Sequence, residues 1–176
     1  EDYVGFHTMM ALAPSLHMAR ELPEPLQPLP VFKVLYRNTN RIQEKGGRKA
    51  EVLHGVKSAP LGDGRPGAES VRDAVHRQAL DEAECIFATL AQSGASDALN
   101  GLLYTVQDHT EVHRVVLPYR AWDLLDLIGQ EHAHTLLRQS VRYCVKAESW
   151  PRNAASDQAR AILPKLLDEH KLLDRS

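Results

Sequence analysis

Apolar side chains recur every three to four residues through most of this chain, and the period-two alternation of half-buried strands is scarce. On a helix that rhythm gathers the apolar positions into one stripe that must be buried, so the chain is constrained to an all-α fold. The stretches so marked lie at about 2–21, 31–44, 68–79, 81–93, 96–128, 129–146 and 154–172. They predict a bundle of about seven helices built from antiparallel hairpins. Punctuation falls where helices should bend or stop. Pro14 is placed to kink the first helix, "ELPEPLQPLP" at 21–30 makes a corner, and Gly46-Gly47 ends the next helix. Asp81 is a plausible N-cap, Ser93-Gly94 and Gly129 mark turns, and Pro118 and Pro164 are candidate kinks. The segment 45–67, "KGGRKAEVLHGVKSAPLGDGRPG", has no core-facing period and reads as a long, mobile surface loop, a lid if a pocket lies nearby.

A chain of 176 residues with 43% hydrophobic content suits a single helical domain, 1–176. It begins at Glu1 and enters a helical pattern at once, so truncation at the N-terminus is expected. Twenty-one Lys and Arg against 23 Asp and Glu give a formal charge of -2 with no long run of one sign, which argues against a nucleic-acid or anionic-membrane partner. No apolar run reaches the roughly 18 residues of a membrane span, and no signal peptide is visible. Cys85 and Cys144 both fall on apolar helix faces and read as buried small hydrophobes in a reducing, cytoplasmic setting.

Sliding the chain by 106 positions superposes His7 on His113, Met9 on Val115, Met10 on Val116, Leu16 on Trp122, Met18 on Leu124 and Leu22 on Ile128. Pro23 then lands on Gly129. Residues 2–44 and 96–147 thus read as two related hairpins with their His-bearing helices facing a shared interior, although amphipathic helices match one another readily.

The histidines are the sharpest chemical feature. In "HTEVH", His109 and His113 lie four residues apart, a spacing that on a helix lets two imidazoles share a first-row metal, with Glu111 or Asp108 as a carboxylate. His113 is in line with the apolar stripe of Leu99, Leu102, Leu103, Val106, Val116, Leu117, Leu124 and Ile128. His7, Met10, Pro14 and His17 form a comparable stripe on the first helix. The order is not HExxH, and an ExxH pair, Glu51 to His54, falls in the glycine-rich loop. A buried histidine hydrogen-bonded across the bundle explains the same pattern without a ligand. Tyr36, Arg37, Arg138, Arg142 and Tyr143 lie on the returning helices, where an Arg beside a Tyr can orient a carboxylate or polarise a carbonyl, or simply lie along a solvated face. Neither GxSxG nor a glycine-rich phosphate loop occurs, which excludes the usual triad-hydrolase and nucleotide-binding signatures.

The stretch 112–144, "VHRVVLPYRAWDLLDLIGQEHAHTLLRQSVRYC", resembles a segment of bacterial all-helical proteins distantly similar to the questin oxidase-like family. In that pattern a helix beginning with His ends at a Gly corner, and a second His precedes a returning helix with Leu-Arg. The matching positions are His113, Gly129, His132 and Arg138, with His7 a counterpart in the first hairpin. The resemblance implies an oxidoreductase, monooxygenase-like, acting on a small organic molecule. His113, His7, Arg138 and Tyr36 are the expected catalytic residues, His132 and His17 the cofactor-binding ones, and His109, His113 and Glu111 the metal ligands. Iron or haem is the expected cofactor. The alternative is a non-enzymatic helical interaction module, with structural histidines and function in a groove or in homo-oligomerisation.

Overall fold

The computed structural model describes residues 3–45, 54–61, 67–151 and 154–171. Among them there is no strand, and the α-helices follow in the order α1 (Tyr3–Met10), α2 (Leu12–Glu21), α3 (Pro28–Glu44), α4 (Gly67–His76), α5 (Leu80–Ala91), α6 (Ala95–Val106), α7 (Val112–Ile128), α8 (Ala133–Ala147) and α9 (Ala154–Glu169), with short 3-10 turns at Glu24–Leu26 and Gln130–His132. The all-α bundle is therefore as the periodicity requires. The nine α-helices among the described residues fit the expected bundle of about seven, two of the expected stretches each being broken in two. The first breaks at Ala11 rather than at Pro14, which sits in the first turn of α2 where its missing N–H costs nothing. The second breaks at 107–111, not at Pro118, which lies buried inside α7. "QDHTE" at 107–111 holds no apolar side chain between Val106 and Val112, so no buried stripe carries a helix across it. Asp81 lies in the first turn of α5, and the cap position belongs to Ala79.

The main core lies among α4, α5, α6, α7 and α8, with Val71, Val75, Phe87, Leu102, Leu125, Leu137, Val141 and Cys144 essentially sealed from solvent. A smaller cluster of Leu117, Tyr143 and Ala147 receives Met9 and Met10 from α1. That cluster seats the N-terminal helices on α7 and α8. Thr8 on α1 donates to the Asn38 side chain of α3 at 3.2 Å, tying the first hairpin together. Residues 46–53 and 62–66 of the expected long loop lie outside the described residues. Its described part, 54–61, is fastened: Ala59 N–H donates to the Cys85 carbonyl at 3.2 Å, and Thr89 Oγ1 donates to the Ala59 carbonyl at 2.5 Å. No described helix is long and apolar enough to cross a membrane. Cys85 and Cys144 are free thiols, Cys144 buried and Cys85 half-buried.

Candidate functional site

Glu111 ends the polar break 107–111, and its extended backbone lets the side chain turn back onto the first turn of α7. There it accepts from the backbone N–H groups of His113 at 3.1 Å and Arg114 at 3.3 Å, two of the donors that a helix N-terminus leaves without intrahelical partners. The same carboxylate meets the ring of His113, Nδ1 to Oε1, at 2.6 Å, and accepts from the Tyr143 hydroxyl of α8 at 3.0 Å. The other ring nitrogen of His113 faces His7 of α1, Nε2 to Nε2, at 3.4 Å. The two imidazoles stand edge to face with centroids 5.1 Å apart, and the Tyr143 ring lies 5.5 Å from that of His113. Trp150 closes the aromatic series against Tyr143 at 5.7 Å.

The electrostatics follow from this packing. Burial pushes the Glu111 carboxyl up, but the hydrogen bonds from the His113 ring, the His113 backbone and Tyr143 outweigh it and hold the group below the ordinary carboxylate value. The Tyr143 phenol is driven well above its ordinary value, first by burial and then by its bond to the Glu111 carboxylate. It is a proton donor to Glu111 and stays protonated. The His113 side chain is 12% exposed, so the pair is reachable at its edge while most of the ring is covered.

The expected site residues divide sharply. His7 and His113 meet, and Glu111 joins them, though through the His113 ring. His109 does not stand one helical turn from His113, because it lies in the turn before α7, where its N–H bonds the Val106 carbonyl. The helical His-x-x-x-His geometry is thus replaced by a pairing between α1 and α7. His17 is exposed on α2, and the His132 side chain, 52% exposed, lies 3.8 Å from Glu131. Tyr36 is 73% exposed on α3. Arg138 is buried at a different place, donating to Glu84 of α5 at 2.6 Å and to the His54 carbonyl at 2.6 Å; Arg142 joins the same carboxylate at 3.0 Å. Of the Glu51–His54 pair, Glu51 lies outside the described residues. Among the described residues no three His, Cys, Asp or Glu side chains converge as a metal shell.

No family model, curated protein or solved structure matches this chain. Its chemistry has to be read from the site alone. Tyr143 belongs to that site and stood only among the general polar candidates; its spacing from Arg138 and Arg142 on α8 put it on a different face from either. Arg114, fully buried beside His113, is absent from the candidates that residue type and spacing offer. It donates to the Thr105 carbonyl at 3.3 Å, the Cys144 carbonyl at 3.4 Å and the Glu148 carboxylate, joining α6, α7 and α8 behind the pair. The signal was its place in the buried series 114, 117, 118, 121, 125.

Proposed function

We propose that the chain is an oxidoreductase, monooxygenase-like, in which His7 and His113 together hold one non-haem metal ion, iron by the resemblance of 112–144, beside a small organic substrate. The observation that carries this reading is the 3.4 Å approach of the two Nε2 atoms. Two imidazoles bonded at roughly 2.0–2.1 Å to one ion have their nitrogens about 3.3–3.4 Å apart at a tetrahedral centre and about 3 Å apart when cis at an octahedral one, and the observed approach lies within a few tenths of an ångström of either. A haem between the two rings would require the nitrogens about 4 Å apart on opposite sides of the macrocycle, so the distance favours the bare ion. Such an ion would offer open coordination positions to oxygen or substrate. The test is titration of the purified chain with Fe(II) and Co(II), with metal analysis and absorption spectra, in the wild type and in His7→Ala, His113→Ala and His113→Gln. One ion per chain in the wild type and none in the Ala variants is expected, while His113→Gln keeps the stability of the fold without the ion. A wild type that retains no more metal than its Ala variants removes the reading.

A second reading, an interaction module, is favoured by a separate observation. Leu29, Phe32 and Tyr36 on α3 are 58%, 63% and 73% exposed, and Val112, Val115 and Tyr119 on α7 are 63%, 43% and 57% exposed. Each set follows the i, i+3, i+7 spacing of one helix face. Sedimentation of the wild type against Phe32→Glu tests it: a mass that falls on substitution supports self-association, and a monomer at all concentrations removes that form of the reading.

A further inference from the structure

Glu111 makes more contacts than a helix cap requires. A Ser, Thr, Asp or Asn serves the two backbone donors and is the common choice there. The longer Glu side chain reaches beyond them. Oε2 takes the two N–H groups and the Tyr143 hydroxyl, and Oε1 takes the His113 ring. A carboxylate only accepts, so the nitrogen at 2.6 Å from Oε1 must carry the hydrogen. A neutral imidazole has one N–H and one lone pair, and assigning the hydrogen to Nδ1 leaves the lone pair on Nε2. Nε2 is the atom that faces His7 at 3.4 Å.

We infer that Glu111 is a positioning residue, which fixes His113 as the Nδ1–H tautomer and so aims its Nε2 lone pair at the point shared with His7. Two consequences follow. In the neutral pair without a bound cation, the hydrogen between the two Nε2 atoms comes from His7, because His113 has none there. The point between the rings thus holds that one hydrogen, and a metal ion could take its place only with His7 moving its own hydrogen to Nδ1, so that both Nε2 atoms present lone pairs. Tyr143 supports the arrangement from α8 by bonding the other oxygen of the carboxylate, and its ring also lies against that of His113. Outer groups of this kind, a carboxylate behind a ligating imidazole, set both orientation and basicity. As far as it concerns metal affinity, this inference rests on the proposed function; the tautomer itself does not.

The substitution Glu111→Gln gives an unusual test. Its amide oxygen is drawn to the Oε2 position, where three donors need an acceptor, which puts the NH2 group against His113 Nδ1. That should reverse the tautomer to Nε2–H. Glu111→Ser keeps a cap but cannot reach the ring, so it guards against loss of the cap as the cause. Long-range 1H–15N spectra of the histidine rings in the intact, metal-free chain, at a pH where the imidazole is neutral, read the tautomer directly. The expected result is Nδ1–H for His113 in the wild type, Nε2–H in Glu111→Gln and a mixture in Glu111→Ser, with Co(II) affinity about 10–100-fold weaker in both variants. An Nε2–H wild type, or an unchanged tautomer in both variants, overturns the inference. The expected tautomers without Co(II) binding in any form would uphold the positioning of His113 and remove the metal reading instead.

Discussion

The shared carboxylate of Glu84 is where a single substitution should hurt this fold most. Glu84 and Arg138 are each 4% exposed, and Glu84 accepts from Arg138 at 2.6 Å and from Arg142 at 3.0 Å. Burial raises the Glu84 carboxyl, and the two guanidiniums more than reverse this, so the group is ionised in the fold. Replacing Glu84 with Leu affects the two arginines unequally. The Arg142 side chain, 18% exposed, can turn towards water, whereas that of Arg138, 5% exposed, keeps only the His54 carbonyl. Stranding that one buried cation should cost about 3–5 kcal/mol, against a total stability of roughly 5–15 kcal/mol. Arg138→Met is milder, about 1.5–3 kcal/mol, because Glu84 retains Arg142. In the double variant the stranded cation is gone, and mainly the His54 carbonyl is left to satisfy, about 1–3 kcal/mol. The double variant should therefore be more stable than Glu84→Leu alone, with a coupling on the order of 3 kcal/mol. Urea unfolding of all four proteins at constant m measures it. A Glu84→Leu protein within about 1 kcal/mol of wild type, or strictly additive costs, would refute this account of the cluster.

Acid should loosen the fold in two stages. His134 is held below its ordinary 6.5 by burial and then by Arg138, so the unfolded chain binds more protons once the pH drops below 6.5, and stability falls as pH falls. Its buried Nε2 has no hydrogen-bond partner among the described residues, so His134→Leu should abolish this first loss; a pH profile unchanged by the substitution counts against it. Glu84, Glu111 and Asp108 all sit below their ordinary values despite burial, because Arg138 and Arg142, the His113 ring, and Arg72 with His76 respectively bond them. Their contribution is complete above the ordinary carboxylate range and is lost as pH falls through the lowered folded values, which urea midpoints from pH 5 to pH 3 would trace. Burial pushes the Cys144 thiol up to about 11, so in a maleimide time course Cys85 should label first and Cys144 only on unfolding; equal rates would contradict the sealed core. Gly129 ends α7 at φ 109 and ψ 148, a conformation nearly restricted to glycine, and Gly129→Ala should lower stability by about 1–3 kcal/mol in the same unfolding assay. A cost near zero would mean that the corner relaxes freely.

The helices were legible because burial imposes a period on the sequence, and Leu117, Ala121, Leu124 and Leu125 keep that period straight through Pro118. The breaks were less so. Pro14 and Pro118 are the expected interrupters, yet the break at 107–111 is set by the lack of any apolar side chain and by the Glu111 cap. Half of the site was legible as well: the offset between His7 and His113 pointed to two rings facing one interior, and they lie 3.4 Å apart. The other half depends on tertiary direction, which spacing along one helix does not encode. His109 falls in a turn, Tyr36 points to solvent, and Arg138 turns to α5. Glu84 and Arg114 passed as ordinary charged residues because a buried charge is recognisable only once its partner on another helix is known.

α8 joins two polar groups of opposite character. On one face Arg138 and Arg142 meet Glu84, and donors oppose acceptors throughout: guanidinium against carboxylate, guanidinium against carbonyl. These donor-to-acceptor contacts hold α5, α8 and the 54–61 segment together. On another face Tyr143 meets Glu111, and the chain of hydrogen bonds runs from phenol to carboxylate to imidazole. It continues nitrogen to nitrogen, from His113 to His7. Two imidazole nitrogens face each other favourably only with a hydrogen or a cation between them. Donors met by acceptors on one face, and nitrogen facing nitrogen on the other, are the physical ground for the proposal that sets chemistry between α1 and α7 and leaves Arg138 to the fold.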